Sequence, residues 1–244
     1  MRVGVAAGVL LFAAACSSRA APTHHVAAPS TTAYVAKIDP ATFTTKVTNR
    51  YFPLVPGLTY VYEGTTDNKP ERNDVAVTGN TQKVAMGVTC VVVHDVEYID
   101  GVKARDTLDY YAQDASGAVW YFGEDTKAYS GDGSVKSTAG SWQAGVNGAQ
   151  PGVVMPAQPA VGDTYRQEFR AGVAEDQAQI LQIGTTVSVP LSTYRDAIVT
   201  KDFSSLEPNQ VEHRTYAPGV GFVQGDVVAG GHEHVALVRV VNSS

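Results

Sequence analysis

Apolar and polar side chains alternate between residues 102 and 112, with the period of a β-strand that has one buried face. One face carries Val102, Ala104, Leu108, Tyr110 and Ala112, and the other carries Lys103, Arg105, Thr107, Asp109 and Tyr111. We therefore predict that the first face is buried and that the second is in water. Similar strand signals recur in the segments 58–63, 73–78, 81–86, 88–97, 117–123, 163–170, 178–189, 194–202, 209–217 and 233–241.

Turn-forming pairs such as Asp100-Gly101 and Pro218-Gly219 separate several of these segments. The spacing predicts a mainly β protein: a strongly curved antiparallel sheet, or a barrel or half-barrel meander, that leaves few strand edges exposed. Two regions differ from this pattern. Residues 37–52 predict one short N-terminal helix, capped by Asp39 and begun by Pro40. Residues 140–160, rich in Gly, Ala, Pro and Val, predict a long loop.

The stretch DYYAQDASGAVWYFGEDT, residues 109–126, predicts a hairpin whose turn is Asp114-Ala115-Ser116-Gly117. Neighbouring side chains on a strand point to opposite faces, so Trp120, Tyr121 and Phe122 place rings on both faces of the hairpin. Rings on both faces require a cover on the second face. Either the 140–160 loop or a ligand provides that cover.

The N-terminus predicts a targeting segment followed by a tether. Arg2 precedes an apolar run, Val3 to Ala15, that is too short to span a bilayer but suits a secretory signal. The run ends in Ala13-Ala14-Ala15-Cys16, which resembles a bacterial lipobox with Ala13 where leucine is usual. We predict a signal peptide at 1–15, lipidated Cys16 with a flexible tether at 16–33, and one β-rich domain at 34–244. An ordinary signal peptide cleaved near Ala15 is the alternative.

Charge and cysteine content narrow the class of partner. The formal net charge is −6, and no basic stripe interrupts it, which argues against nucleic acid as a partner. Membrane contact is therefore expected through the lipid alone. With Cys16 lipidated, Cys90 has no partner for an intrachain disulfide, and its apolar neighbours predict a buried, inert thiol. The oligomeric state cannot be deduced from these features.

The motifs YYAQDASGAVWYFGEDT, YRQEF and TYAPGVGFV resemble those of a family of uncharacterised bacterial secreted and lipidated proteins. The resemblance spans about residues 49–225. TYAPGVGFV also resembles, in architecture, the half-barrel of lipoprotein carriers. That resemblance implies a curved antiparallel sheet around an apolar interior, which in the carriers receives acyl chains.

A ligand inside such a sheet would meet aromatic rings and a few polar groups. The candidate ligand-binding residues are Tyr110, Tyr111, Trp120, Tyr121, Trp142, Arg166, Glu168 and His213. Arg166 and Arg170 flank Glu168 and would hold it ionised. For the rings and for His213, packing in the core is the competing interpretation.

Two sets of residues are weaker candidates for catalytic or metal chemistry. His232 and His234 are spaced for one face of a strand, as in zinc sites on sheets, but no third ligand follows them in sequence. Four glutamates would serve glycoside hydrolysis if they converged: Glu124, Glu168, Glu175 and Glu212. Because the chain lacks the GxSxG, SxxK, HExxH, GxGxxG and GxxxxGK[S/T] motifs, we predict no cofactor and favour a non-enzymatic role.

The sequence therefore predicts a lipoprotein anchored to the bacterial cell membrane on its extracytoplasmic side. Its role would be to bind or carry an apolar or amphipathic ligand, or an envelope partner. Two alternatives remain open. One is a structural or assembly lipoprotein without a cavity, and the other is an envelope hydrolase that uses clustered carboxylates or a histidine metal site.

Overall fold

The computed structural model describes residues 34–242, which form one nearly closed antiparallel barrel. A 3-10 turn, Pro40–Thr42, comes first. The first nine strands are β1 (Phe43–Thr44), β2 (Val47–Asn49), β3 (Phe52–Leu54), β4 (Leu58–Thr66), β5 (Lys69–Lys83), β6 (Thr89–Ile99), β7 (Val102–Asp114), β8 (Val119–Tyr129) and β9 (Val135–Ser137). The next nine are β10 (Trp142–Gln143), β11 (Gln150–Met155), β12 (Thr164–Arg166), β13 (Glu168–Phe169), β14 (Asp176–Ser188), β15 (Thr193–Ser204), β16 (Val211–Ala217), β17 (Gly221–Ala229) and β18 (Glu233–Asn242).

The sheet closes through a short segment that touches both of its ends. Hydrogen bonding runs in the order β12-β14-β15-β16-β17-β18-β4-β5-β6-β7-β8-β11-β13. Strand β12 pairs with β14 at one end, and β13, only one residue further along the chain, pairs with β11 at the other. Gln167, between them, donates its backbone N–H to the Asp176 carbonyl at 2.8 Å. The segment 164–169 therefore joins the two ends of the sheet and leaves few free edges.

The predicted fold class, a curved antiparallel barrel-like sheet, is confirmed, and its details differ in four places. The helical part of 37–52 is confined to the 3-10 turn, with Asp39 accepting the Ala41 N–H as the predicted cap. The 140–160 loop contains β11, which pairs with β8. Strand β17 was not predicted, because Gly221 and Gly225 interrupt its apolar pattern. The segments 73–78 and 81–86 belong to one strand, β5, whose register shifts between them.

Up to Asp109 the inward and outward faces of β7 are the reverse of the sequence prediction, whereas Tyr110 and Ala112 are buried as predicted. Thr107, Asp109 and Tyr111, predicted to face water, are buried inside the barrel, with exposures of 7%, 1% and 0%. Val102, predicted to be buried, is 47% exposed on the outside. The prediction was wrong because it assumed that a polar face is a wet face, whereas one half of this barrel is lined with polar side chains.

The interior is apolar in the half where β2 and β3 lie. Its lining comes from alternate residues of neighbouring strands, including Tyr60, Tyr62, Val75, Val77, Val93, Tyr111, Ile198, Tyr216 and Phe222. The β2–β3 hairpin closes this end with Phe52, whose ring centroid lies 5.3 Å from that of Tyr111. Asn49 holds the hairpin in place by donating its side-chain N–H groups to the Gly117 and Pro156 carbonyls at 2.9 and 3.0 Å.

At Gly64, the backbone of β4 lies very close to that of its antiparallel neighbour β18. A Cβ on Gly64 would lie 1.7 Å from the backbone oxygen of His234. We therefore expect Gly64→Ala to push the two strands apart and to lower the free energy of unfolding by about 3 kcal/mol, as overpacked sites do. Urea unfolding would measure the loss. Gly79→Ala is the matched control, since nothing lies within 4 Å of its Cβ position, and an equal loss in both variants would contradict the explanation.

Candidate functional site

The other half of the barrel interior is lined with carboxylic acids. Among the buried side chains of the described residues are eight acids and one arginine, Arg214. The acids are Glu71, Asp95, Glu97, Asp109, Glu168, Asp202, Glu212 and Glu233. We call the space that they line, together with Glu124, Arg105 and Arg214, the acidic chamber.

Strand register explains why these residues converge. Along β5 the buried positions are Glu71, Asn73, Val75 and Val77, so one strand contributes to both halves of the interior. Glu97 lies opposite Asn73 on one side and Arg105 on the other. Asp95, Glu97, Arg105, Asp109 and Glu124 line one narrow cavity together with Asn73 and Thr107. The acidic chamber is therefore a continuation of the apolar core along the same strands.

Part of the negative charge is paired within the chain. Arg214 contacts Glu212 at 2.7 Å and Asp202 at 3.7 Å. Arg105 lies 3.6 Å from Glu97. Gln167 donates its side-chain N–H to Asp202 at 3.0 Å, and the Thr200 hydroxyl also donates to that carboxylate. These contacts give Glu97, Asp202 and Glu212 partners within the chain.

Several chamber oxygens have no hydrogen-bond partner among the described residues. They are Oε2 of Glu71, Oδ1 of Asp95, Oε1 of Glu212 and Oε2 of Glu233. All four residues are at most 9% exposed. A Cβ on Gly225 would lie 2.7 Å from the Glu212 oxygen, so this glycine leaves room for that carboxylate. Buried polar groups are usually hydrogen-bonded, and unpaired ones cost free energy.

Burial and mutual repulsion make the chamber acids weak acids. Burial, reinforced by Glu71, Glu212 and Glu97, raises the pKa of Glu233 to about 9. Burial likewise raises the pKa of Glu71 to about 7 and holds the pKa of Asp95 well above its usual range. These carboxyls therefore resist ionisation.

A phenol joins two acids where the chamber meets the apolar half. The Tyr121 hydroxyl lies 2.6 Å from Oδ1 of Asp109 and 3.0 Å from Oε2 of Glu124. A phenol has one proton to donate, so both bonds form together only when one carboxyl is protonated. Burial and the neighbouring Asp109 raise the pKa of Glu124 to about 7, which makes Glu124 the acid that shares its proton. Trp142 donates its indole N–H to Glu168 at 2.8 Å beside this group.

The structure brings four of the eight predicted ligand-binding residues together. Tyr111 and Tyr121 stack inside the barrel with their ring centroids 4.9 Å apart, and Trp142 packs edge-on against Tyr121 at 5.4 Å. Glu168 accepts the Trp142 indole N–H at 2.8 Å. The predicted role of these residues in ligand binding stays a prediction.

Of the other four predicted residues, Tyr110 shares a cleft with Trp142, and the remaining three make other contacts. Trp120 contacts Phe43 of β1 and donates its indole N–H to Asp114 at 2.8 Å. Arg166 lies over the rings of Tyr34 and Phe169. His213 and Tyr110 occupy strand positions that alternate with the chamber residues of β16 and β7.

The chain itself covers the rings of the 109–126 hairpin. Phe43 packs against Trp120 and Phe122 on one face, and Phe52 and Trp142 pack against the tyrosines on the other. The cavity that remains in the apolar half has a volume of about 40 Å³. A second cleft, of about 320 Å³, lies where Tyr110, Glu124, Asp125, Trp142 and Arg170 meet. The 140–160 segment therefore provides part of the predicted cover through Trp142.

The candidate metal ligands do not converge within the part of the chain that the structure describes. His234 pairs with Asp226 at 2.7 Å, and no group of three or more His, Cys, Asp or Glu side chains in residues 34–242 is arranged to hold a metal ion. Of the four glutamates considered for hydrolysis, Glu175 accepts a hydrogen bond from Ser205 on the surface. Cys90 is buried, and burial raises the pKa of its thiol to about 12.

The chamber residues that the sequence analysis missed share one signal. Glu71, Asp95, Glu97 and Glu233 were not singled out, because each stands alone among ordinary strand residues. Each nevertheless shares its strand face with buried valine, tyrosine or leucine, as Glu233 does with Val235 and Leu237. Acids that share a strand face with core residues, on several strands, would have indicated an interior lined with carboxyl groups.

Comparisons with known proteins give no family for this chain. No family model matches it, and no curated protein matches it. Among solved structures it is similar to a predicted exported protein of Bacteroides fragilis described as having a YmcC-like fold, with a TM-score of 0.46 and 14% identity over 79% of this chain and 99% of that one. It is also similar to a predicted lipoprotein of Parabacteroides distasonis, with a TM-score of 0.41 and 10% identity over the same shares of the two chains.

The predicted lipobox and tether, residues 1–33, lie outside the described residues, so the lipid anchor stays a prediction. In the part that is described, no helix is long and apolar enough to cross a membrane.

The raised pKa values predict that stability falls as the pH rises. Above pH 4.5 the unfolded chain ionises its glutamates, while the folded chain keeps Glu71 and Glu124 protonated up to about pH 7 and Glu233 up to about pH 9. The folded state then binds more protons, so the free energy of unfolding should fall between pH 5 and 9, at up to about 1.4 kcal/mol per pH unit for each group. Urea unfolding across this range would measure it. Glu233→Gln should make the profile shallower above pH 7, and a flat wild-type profile would contradict the prediction.

The shared phenol proton predicts a linked change in acidity. In this arrangement Glu124 donates its proton to the phenol oxygen and the phenol donates to Asp109. Tyr121→Phe therefore removes a hydrogen bond that lowers the pKa of Asp109, and the pKa of Asp109 should rise. Loss of the bonds should also cost about 1–3 kcal/mol of stability. Carboxyl NMR titration would follow Asp109, with Tyr98→Phe on the outer face of β6 as the control. An unchanged or lower pKa of Asp109 in Tyr121→Phe would exclude the proton-sharing arrangement.

Proposed function

We propose that the chain is an extracytoplasmic binding module, tethered to the membrane through a lipid on Cys16, that holds an amphipathic ligand inside its barrel. The lipobox-like N-terminus supports the location, and the two-part interior supports the class of ligand. An apolar portion of the ligand would lie against the aromatic half, and its polar end would lie in the acidic chamber.

The observation that carries this proposal is the set of unpartnered carboxylate oxygens inside the barrel. If these groups served only to form a stable core, replacing them with apolar side chains would increase the stability of the fold, because buried ionisable groups without partners cost free energy. Strongly perturbed carboxyls in an enclosed site are typical of functional groups. Glu71 and Glu233, each with a free oxygen and at most 6% exposure, are the strongest examples.

Access to the apolar half would require the β2–β3 hairpin to move. The remaining cavity of about 40 Å³ is far smaller than an acyl chain or a ring system, and Phe52 lies directly over Tyr111. Among the described residues, the strands of the hairpin pair only with each other, and it is held to the barrel by side-chain bonds of Asn49 and Gln113 and by the Gly219 N–H, which donates to the Arg50 carbonyl at 2.7 Å. It is therefore the wall of the barrel that can be displaced with the smallest loss of sheet hydrogen bonds.

A second candidate function is a structural or assembly role without a ligand. It is favoured by the covering of the 109–126 rings by Phe43, Phe52 and Trp142. In that case the interior would be an ordinary packed core in its apolar half. The unpartnered carboxylates would then have no role, which is why we favour a binding module.

Native mass spectrometry of the full chain, extracted in mild detergent, tests the proposal. We expect a homogeneous added mass that Val77→Phe reduces at least tenfold, because Val77 lines the apolar cavity. Ala76→Phe is the matched control, since its side chain points to the outer face of the same strand and should leave the added mass unchanged. Wild-type protein without an added mass, or equal occupancy in both variants, would favour the structural role.

A further inference from the structure

The chamber has a strong imbalance of charge. Among the described residues, the guanidinium groups of Arg105 and Arg214 lie beside the chamber carboxylates, and both are already paired with acids. The unpartnered oxygens of Glu71, Glu212 and Glu233 belong to β5, β16 and β18, which alternate with other strands in the order β16-β17-β18-β4-β5. Glu233 lies opposite Thr66 and Glu71 lies opposite Gly64, so these two acids flank the same part of β4.

We propose that the acidic chamber binds an organic cation, an ammonium or guanidinium group that forms the polar end of the ligand. This inference rests on the proposed function for the ligand's place inside the barrel and adds its charge and chemical class. A bound cation would satisfy the free carboxylate oxygens by donating charge-assisted hydrogen bonds. It would also lower the cost of ionising the buried acids.

Geometry favours an organic cation over a metal ion. A divalent ion requires several oxygens converging within about 2.0–2.6 Å of one point. The described residues contain no cluster of three or more acidic, histidine or cysteine side chains placed to do this. An ammonium or guanidinium group instead donates single hydrogen bonds of about 2.7–2.9 Å to separate carboxylates, which suits acids on different strands.

The aromatic boundary of the chamber supports the same class of ligand. The stacked rings of Tyr111 and Tyr121 lie next to Asp109, and the buried hydroxyl of Tyr111 has no hydrogen-bond partner among the described residues. Tyrosine rings attract ammonium and guanidinium ions through their faces, and adjacent apolar side chains accept hydrocarbon portions. A cation with an attached hydrocarbon chain would therefore contact both halves of the interior.

Isothermal titration calorimetry with the full chain, in mild detergent at pH 8, tests the inference with four probes: hexylammonium, spermidine, hexanoate and Ca²⁺. We expect at least one of the two organic cations to bind. Hexanoate has a chain of the same length and opposite charge, and it should bind at least tenfold more weakly than hexylammonium. Glu233→Gln should weaken binding of the organic cation at least tenfold.

A second measurement separates a binding role from a structural one. Glu233→Gln removes a buried acid that the free protein must keep protonated, so its melting temperature without a probe should rise while its affinity for the cation falls. Glu63→Gln, on the exposed face of β4, is the matched control. It should change the affinity for the cation by less than twofold and the melting temperature by less than a degree.

Each other outcome overturns the inference. If neither organic cation binds, or if Glu233→Gln binds as tightly as wild type, the chamber is not a cation site. If hexanoate binds as tightly as hexylammonium, or if Ca²⁺ binds and competes with both organic cations, the assigned class of ligand is wrong. The proposed function survives these results as long as the native mass spectrum shows an added mass that Val77→Phe removes, and it fails with them if no such mass is present.

Discussion

Closure of the sheet is the constraint on which the rest of the structure depends. Once β12 and β13 join the two ends, every second residue of each strand points into a space that water does not freely enter. Valine and tyrosine fill one half of that space at little cost. Acids in the other half must be protonated, be paired or meet a ligand, because an isolated buried charge is too costly. The raised pKa values of Glu71 and Glu233 are the direct consequence.

The chain uses pairing and protonation in the same chamber. Arg214 pairs with Glu212 and Asp202, and the Tyr121 phenol lets Asp109 and Glu124 share a proton. What is left over is a small set of carboxylate oxygens with no partner among the described residues. Natural folds keep unfavourable groups of this kind chiefly where function requires them. These unpartnered carboxyl oxygens are the physical basis for the ligand that we propose in the interior.

The rings of the 109–126 hairpin pack against other parts of the chain, whereas the sequence left open that a ligand covers them. Trp120, Tyr121 and Phe122 do place rings on both faces, as the alternation of strand residues predicts. Their covers are Phe43, Phe52 and Trp142, which come from parts of the chain more than ten residues away. The rings thus stabilise the barrel wall, and Tyr121 also serves the acidic chamber through its hydroxyl. A hydrophobic pocket formed by the rings alone is not needed to explain them.

Local patterns in the sequence were enough to predict most strands, the Asp114–Gly117 turn and the barrel-like class, because alternation and turn chemistry act over a few residues. They also predicted the Asp39 cap, whose hydrogen bond spans two residues. Which face of β7 lies inside was decided only by the tertiary structure, since a polar face is wet in an open sheet and enclosed in a closed one. The same holds for the acidic chamber: Glu71, Asp95 and Glu233 are unremarkable on their own strands. Their pKa values, and the function inferred from them, depend on neighbours that only closure of the sheet brings together.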